Sequence, residues 1–581
     1  MSSNTGPPAM ERDFPPVTVL YPGGHVLVGE VTDMTLAAPV PMTMFGPDFP
    51  FAYDDWVRHP AGLGTLPEDR HGTPVAVVGG GISGLVAAYE LMKLGLHPVL
   101  YEAGELGGRM RSIAFADHPD SVAELGAMRF PPSASTLFHY IGALGLETRP
   151  FPNPLAACTP STVIDLGGVV HHVRTADELP TMYQEVADAW DKALQDRAEL
   201  SSMEDAIRRR DVGVIKSIWN RLVTEMDDQS FYGFLAGSSA FESFQTREIF
   251  GQVGFGTGGW DTDFPNSILE ILRVIYTHAD DDQVSIVGGS QKVPTGLWTH
   301  EPENLVHWPA GTSLASLNSG VPRPSVTKMR RRGDGIAIED SSGTRLEFPA
   351  TVFTPHVWTL LSQIDCSPEL LSTQEWTAVE RTHYMNSSKL FVLTDRPFWR
   401  DTDPRTGHDV MGMTLTDRSP RGVYLFDDGP DRPGVMCLSY TWNDDSSKLL
   451  TLDDSQRVAV LLRRLEAIYP GVDIASHIIG EPISITWERE PNFMGAFRAN
   501  LPGHYRYQRR LFTQFMQDGV PEAQRGFFLC GDDISWTAGF AEGAVTTALN
   551  AVWGVLDHLG GKTDPANPGP GDRFHDLAPV D

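Results

Sequence analysis

The run VAVVGGGISGLVAAYELMKLGLHPVLYEA, which opens at Val75, holds the residues with the clearest chemical meaning. Gly79, Gly81 and Gly84 follow an apolar, β-branched segment and precede a helix-forming one. Glu102 ends the next apolar segment, 18 residues after Gly84. Glycines so placed permit a tight turn, close approach of the backbone to a pyrophosphate, and close packing of helix on strand. The helix N-terminus adds free N–H groups and positive potential, and a carboxylate at Glu102 can accept from ribose hydroxyls. Ser83 lies inside the same turn and joins the cofactor-binding candidates. The pattern predicts a dinucleotide site. A second match, Gly254, Gly256 and Gly259 in VGFGTGGW, runs into WDTDFPNS with a proline and no opening helix, so it reads as a loop.

The segment after Glu102 narrows the ligand. YEAGELGGRMRS places Gly107, Gly108, Arg109 and Arg111 where a flavin's pyrophosphate and ribityl chain need a second cradle, and a nicotinamide dehydrogenase has no use for it. Near the C-terminus, GDDISW places Asp532 for a ribityl hydroxyl. A helix beginning near Gly543 and Ala544 is expected to aim its positive end at the flavin ring and favour the anionic reduced form.

These residues need elements to carry them. Val75 to Gly79 and HPVLYEA read as buried strands around a helix from Leu85 to Leu94. Residues 180–230 read as two amphipathic helices, LPTMYQEVADAWDKALQDRAEL and MEDAIRRRDVGVIKSIWNRLVTEM. SVTKMRRRGDGIAIEDSSGTRLEF reads as two strands around a GDG turn, and a further helix is expected at 454–468. The Pro- and Gly-rich first 70 residues read as an irregular arm. Its second half carries Phe45, Phe49, Phe51, Tyr53 and Trp56 and is expected to pack. No internal repeat is visible.

Composition excludes several classes of function. The chain has 581 residues, 41% hydrophobic and 21% charged, enough for a large core. Lys plus Arg number 45 against 75 Asp plus Glu, a net charge of -30 that repels nucleic-acid phosphates and anionic lipid. Four separated cysteines without a CxxC suggest neither a disulfide framework nor a metal site, and buried thiols in a reducing cytoplasm are expected. No secretory signal or membrane span is read, so a cytoplasmic enzyme is expected, with no nucleic-acid or membrane partner.

Over nearly its whole length the chain resembles the flavin-containing amine oxidase superfamily, and within it the bacterial L-amino-acid 2-monooxygenases, most of all those acting on lysine. The resemblance is carried by FGPDFPFAYDDWVRHPAGLG, VAELGAMRFP, GQVGFGTGGWDTDFPNS, SSKLFVLTDRPFW, CLSYTW, MGAFRANLPGHYRYQRR, GDDISWTAG and NPGPGDRF. It implies an α/β fold in which a Rossmann-like FAD-binding domain is interleaved with a mixed-sheet and helical substrate domain. The expected division is an arm at 1–70, an FAD-binding domain from 71–140, 286–355 and 521–581, and a substrate domain from 141–285 and 356–520. Non-covalent FAD, an L-amino acid, dioxygen and a homodimer or higher homo-oligomer are implied as cofactor and partners.

The resemblance also implies roles. Arg129, in GAMRF beside Met128, matches the arginine that pairs with the substrate carboxylate, and a planar guanidinium suits that geometry. The plain alternative is an arginine paired with Glu124 or another internal acid. Lys389 matches the lysine that holds a water near the flavin and assists the reaction with dioxygen, although a lone lysine on a strand is ordinarily solvated. Trp442, Phe497, Trp536 and Phe540 match cavity-lining aromatic positions. Asp263, with Asp261 as its rival, matches an acid facing a distal ammonium group. Phe540 stands where the family pattern has a second tryptophan, and Ala279 where some lysine enzymes carry a cysteine. The expected reaction is oxidative decarboxylation of a basic L-amino acid, lysine first, to the amide one carbon shorter. An L-amino-acid oxidase giving 2-oxo acid, ammonia and peroxide is the alternative, as is a 2-monooxygenase for arginine, tryptophan or phenylalanine. A flavin-binding sensor is the reading from another class, and retention of both Arg129 and Lys389 argues against it.

Overall fold

The structure, a computed structural model, describes residues 41–253, 264–302 and 305–581. Pro74–Val78 (β1), Ile82–Lys93 (α1) and His97–Tyr101 (β2) form the strand–helix–strand unit that the glycine spacing predicts. Proline, lacking an N–H for a ladder, is confined to the first position of β1. β1 pairs in parallel with β2 on one side and with Thr351–Phe353 (β3) on the other, and β3 pairs in parallel with Phe527–Leu529 (β4). The order is β2-β1-β3-β4. A central parallel strand is covered on both faces, which is why the run is continuously apolar: Val75, Ala76 and Val77 are fully buried. Each such valine contributes on the order of 1.5–3 kcal/mol relative to exposure.

α1 is buried through Met92 because Ala541–His558 (α2) and Lys292–Thr299 pack against it. The third glycine sets how closely α1 meets the turn. A Cβ on Gly84 would lie 1.9 Å from the carbonyl oxygen of Gly79, a backbone atom that cannot move aside.

A second, seven-stranded sheet runs in the order Ile478–Thr486, Ser387–Thr394, Gly434–Trp442, Gly422–Phe426, Met413–Thr416, Thr162–Leu166, Val169–Val173. It is mixed: Met413–Thr416 lies parallel to Thr162–Leu166 and the other pairs are antiparallel. The strands of the two sheets alternate along the chain, as an interleaved α/β fold requires. The arm residues Phe45, Phe49, Phe51, Tyr53 and Trp56 are buried, with Phe49 against Phe512, Phe515 and Phe574. From the same arm, Asp48 accepts from Arg273 Nε at 2.7 Å and Nη2 at 3.0 Å, and from the indole N–H of Trp219 at 2.8 Å.

Local structure departs from the sequence reading in three places. The two expected helices between 180 and 230 are three, Thr181–Ala198, Leu200–Arg209 and Val212–Met226, because Glu199 and Arg210 adopt left-handed backbone angles (φ 48° and 52°) that side-chain periodicity does not register. The expected hairpin at the GDG turn has a third strand, Arg345–Phe348. Its turn is held by Asp340, whose Oδ1 accepts from the N–H groups of Ser342 and Thr344 at 3.0 and 3.1 Å. Of the four free cysteines only Cys437 and Cys530 are buried; Cys366 is half-buried, and Cys158 lies exposed on a loop where its Sγ donates to the carbonyl of Phe151.

Candidate active site

A cavity of about 490 Å³ opens between the two sheets. Gly79, Gly81, Ser83, Glu102, Gly108, Arg109, Met128 and Asp532 line it from the parallel-sheet side of the chain. Lys389, Tyr440 and Trp442 come from the mixed sheet, Arg129 from the segment after the hairpin 112–124, and Phe497, Trp536, Phe540 and Ala544 from segments near the C-terminus. Three cofactor candidates do not line it: Arg111, whose Nη1 instead donates to Glu490 Oε2 at 2.9 Å, Gly84 and Gly543. Gly84 is consumed by its contact with Gly79, and Gly543 packs so closely that a Cβ would lie 2.2 Å from Ser535 Oγ and 2.6 Å from the carbonyl oxygen of Thr537. Their role is packing that places the ends of α1 and α2.

The two glycine turns are joined by the Gly107 N–H, which donates to the carbonyl of Gly80 at 2.9 Å. Glu102 accepts from the N–H groups of Gly80 at 2.5 Å and Gly104 at 2.7 Å, and burial raises its carboxyl pKa. Arg109 and Asp532, which sequence reading treats separately, form a bidentate pair, with Nη1 donating to Oδ2 at 2.9 Å and Nη2 to Oδ1. Arg109 Nη1 also donates to the carbonyl of Ala496 at 2.8 Å. Although burial opposes it, the guanidinium holds Asp532 below the usual carboxylate range.

Lys389 is not the solvated strand lysine of the plain reading. Its whole strand, Ser387–Thr394, is buried, and the side chain is 3% exposed. Nζ donates to the carbonyls of Glu124 at 3.1 Å and Gly126 at 2.5 Å and lies 4.7 Å from the ring centre of Tyr440. Burial brings its pKa down to about 8. Gly126 must be glycine, because a Cβ there would sit 1.7 Å from the carbonyl oxygen of Arg109.

Arg129 has no carboxylate of the described residues at ion-pair distance, so its plain alternative also fails. Glu124 instead accepts from Ser112 Oγ at 2.8 Å and from the N–H and hydroxyl of Ser290 at 2.7 and 2.9 Å. Arg129 Nη1 donates to Asn153 Oδ1 at 2.7 Å and Tyr424 Oη at 3.2 Å, and the guanidinium lies 5.5 Å from the ring centre of Phe151. A half-buried cation held by neutral groups can still accept an anion from the cavity.

All four aromatic candidates line the cavity. Trp442 meets Tyr440, Phe497 and Phe264 with ring centres 5.6, 5.4 and 6.2 Å apart. Trp536 packs on Tyr505 and Phe512 at 4.8 and 5.5 Å, and its indole N–H is buried without a partner. Asp263 and Asp261 lie outside the described residues, as do Gly254, Gly256 and Gly259 of the loop. Sequence reading missed Tyr440, although it sits two residues before Trp442 on one strand and so shares a face with it. It also missed Asp280 and Gln283, for which no local pattern exists. No group of three or more metal-ligating side chains occurs among the described residues, and no described helix is long and apolar enough to cross a membrane.

This lining fits a flavin dinucleotide. It offers a glycine-rich strand-to-helix turn, a carboxylate at the end of the second strand, a second glycine turn, and buried nitrogens that find no hydrogen-bond partner among the described residues, Trp536 Nε1 and His356 Nε2 included. The His356 imidazole is pushed down to about 3 by burial and by Arg109, so it is neutral.

Known proteins point the same way. The family described as flavin containing amine oxidoreductase matches residues 82–556. Tryptophan 2-monooxygenase of Pseudomonas savastanoi is 31% identical over 563 residues, covering 90% of this chain and 96% of that protein. An L-amino-acid oxidase of Siganus canaliculatus is 23% identical over 515 residues, 84% of this chain and 86% of that protein. Among solved structures, putrescine oxidase bound to putrescine superposes with a TM-score of 0.62 at 18% identity, over 85% of this chain and all of that one (100%). Cyclohexylamine oxidase from Brevibacterium oxydans gives 0.60 at 17% identity, over 84% and 100%. These two carry the fold alone.

The turn that brings Asp280 to the cavity is braced by His278, whose Nε2 meets Glu204 at 3.0 Å and Nδ1 meets Asp281 at 2.6 Å. Burial lowers the imidazole pKa, but the two carboxylates outweigh it and raise it to about 9. A raised pKa stabilises the fold fully below the unfolded value of about 6.5, and that contribution disappears as pH rises towards 9. His278→Asn, chosen because asparagine tolerates the left-handed backbone here (φ 50°), should lower Tm most at about pH 6 and least above about pH 9. Thermal unfolding across that range checks it; a deficit that grows with pH contradicts the brace.

Proposed function

The chain belongs to the flavin-containing amine oxidoreductases, which are FAD enzymes, and on that premise we propose that it is an L-amino-acid 2-monooxygenase. It converts an L-amino acid and dioxygen to the amide one carbon shorter, carbon dioxide and water. The observation that carries the reading is Arg129, a half-buried cation at the cavity with no carboxylate of the described residues at ion-pair distance, which suits a substrate bearing a carboxylate and is wasted on a simple amine. The tryptophan 2-monooxygenase and L-amino-acid oxidase relatives support the same class.

Bound FAD supplies acceptance of two electrons from the substrate Cα–H and their passage to dioxygen. Gly79, Gly81, Ser83, Glu102, Gly108, Arg109, Met128, Asp532 and Ala544 are the residues that would hold it. Arg129 orients the substrate through its carboxylate, and the wall of Tyr440, Trp442, Phe497, Trp536 and Phe540 excludes water and holds the side chain. Lys389, fixed by two carbonyls and with its pKa near 8, keeps a proton donor in the dry cavity where charge develops as dioxygen is reduced.

A basic side chain, lysine first, is the proposed specificity, and it rests on the resemblance, which matches Asp263 to an acid facing a distal ammonium group. Tryptophan is the second reading, favoured by the relatives and by the aromatic wall. Incubation with a panel of L-amino acids and mass separation of products tests both. An amide one carbon shorter from lysine supports the first, indole-3-acetamide the second, and no amide from any L-amino acid overturns the monooxygenase assignment. Arg129→Met should raise KM by about a hundredfold, equivalent to about 3 kcal/mol, and an unchanged KM removes Arg129 from the carboxylate role. Lys389→Met should slow reoxidation by dioxygen by about a hundredfold while changing anaerobic reduction far less; equal slowing of both contradicts its role.

A further inference from the structure

Asp280 lines the cavity and has no part in the roles above. Its turn follows the helix Ile268–Tyr276, and backbone pairing sets it beside Arg129. Phe130 and Val284 exchange both backbone hydrogen bonds, at 2.8 and 2.9 Å, and the Phe151 N–H donates to the carbonyl of Gln283 at 2.8 Å. Side chains continue the link. Arg129 Nη1 donates to Asn153 Oδ1 at 2.7 Å, Asn153 Nδ2 donates to Gln283 Oε1 at 3.0 Å, and Gln283 Nε2 reaches Asp280 Oδ1 at 3.5 Å.

A cation and a carboxylate thus stand at opposite ends of a two-amide chain on one cavity wall, not in contact with each other. Asp280 Oδ2 is buried and has no hydrogen-bond partner among the described residues. Leaving a buried acceptor so costs about 1–3 kcal/mol, more for a charged group, unless a ligand supplies the donor. An α-amino acid carries its carboxylate and its ammonium on the same carbon. A carboxylate held by Arg129 therefore delivers an ammonium to the same wall.

We propose that Asp280 receives the α-ammonium of the substrate and takes one proton from it, so that the neutral amine is the form presented for oxidation. The step breaks one N–H bond and forms one O–H bond; ammonium becomes amine, carboxylate becomes carboxylic acid, and no electron changes hands. The inference rests on the amino-acid reading of the site.

The surroundings suit a base for this proton. Arg129 faces Asp280 from the segment after the hairpin and Tyr424 from the strand Gly422–Phe426; Tyr440 and Lys389 line the same cavity from their strands, as do Glu270 and Arg273 from the helix Ile268–Tyr276. Asp281 and the His278 brace belong to its own turn. Burial, aided by Asp281 and opposed by Arg129, lifts the Asp280 carboxyl to about 7, which makes it a stronger proton acceptor than an ordinary aspartate.

The test is the rate of anaerobic flavin bleaching in the FAD-loaded enzyme against pH, with L-lysine or L-tryptophan, whichever reduces it faster. In the wild type the acidic limb should lie near pH 7, well below the substrate's own ammonium pKa. In Asp280→Asn it should move up to that ammonium pKa, the rate falling about tenfold per pH unit below it, and the two enzymes should converge at high pH. Asp280→Glu should keep a limb near the wild-type position. A loss of rate in Asp280→Asn that is the same at every pH, or an unmoved limb, overturns the proposal. Should that variant fail to retain FAD, the wild type decides alone: a limb at the substrate's ammonium pKa overturns it. A wild type that no L-amino acid bleaches fails the functional reading instead, and this inference with it.

Discussion

Burying positive charge is the constraint on which this cavity depends. Arg109, Arg129 and Lys389 all line it, in a chain whose net charge is -30. An uncompensated buried ion costs several kcal/mol, so each needs a partner, and each has a different one. Arg109 is neutralised by Asp532. Lys389 is solvated by two backbone carbonyls and keeps a proton that burial makes easier to lose. Arg129 rests on an amide, a phenol and a ring, and its charge is left for the ligand. The acidic surface therefore says nothing about the site, whose potential is set locally within the roughly 10 Å that salt leaves unscreened.

The same partners join the two sheets. The carbonyls that hold Lys389 belong to the segment 124–126 that ends the hairpin after the second glycine turn, so the lysine fastens the mixed sheet to the dinucleotide half. Gly126 makes the junction possible, since any side chain there would strike Arg109. Arg109 then reaches across to Asp532 and to the carbonyl of Ala496, beside Phe497 of the aromatic wall. Elements that line the cavity from the glycine turns and elements that line it from the mixed sheet are thus positioned by shared hydrogen bonds.

How much of this was legible in the sequence depends on the range of the interaction. The β1–α1–β2 unit was legible because its chemistry lies within 29 residues of continuous chain, and glycine at 79, 81 and 84 has a steric meaning that composition cannot mimic. Breaks at Glu199 and Arg210 were not, because a left-handed residue inside a helical pattern leaves apolar spacing intact. The motif residues Arg129 and Lys389 stood out by resemblance, while their surroundings did not. Whether a strand lysine is solvated or buried turns on what covers its strand.

The sequence by itself determined the strand–helix–strand unit around the glycine turn, the interleaved α/β architecture and the family, since each rests on residue types at short fixed spacings or on long motifs in order. Tertiary structure alone decided that Arg109 and Asp532 neutralise each other, that Glu124 turns to Ser112 and Ser290 rather than to Arg129, and that Asp280 reaches the same wall through Asn153 and Gln283. The reason is electrostatic. The state of a charge out of bulk water is set by its neighbours within a few ångströms, and here several of those neighbours, Asp532 for Arg109 and Ser290 for Glu124 among them, are more than a hundred residues away along the chain.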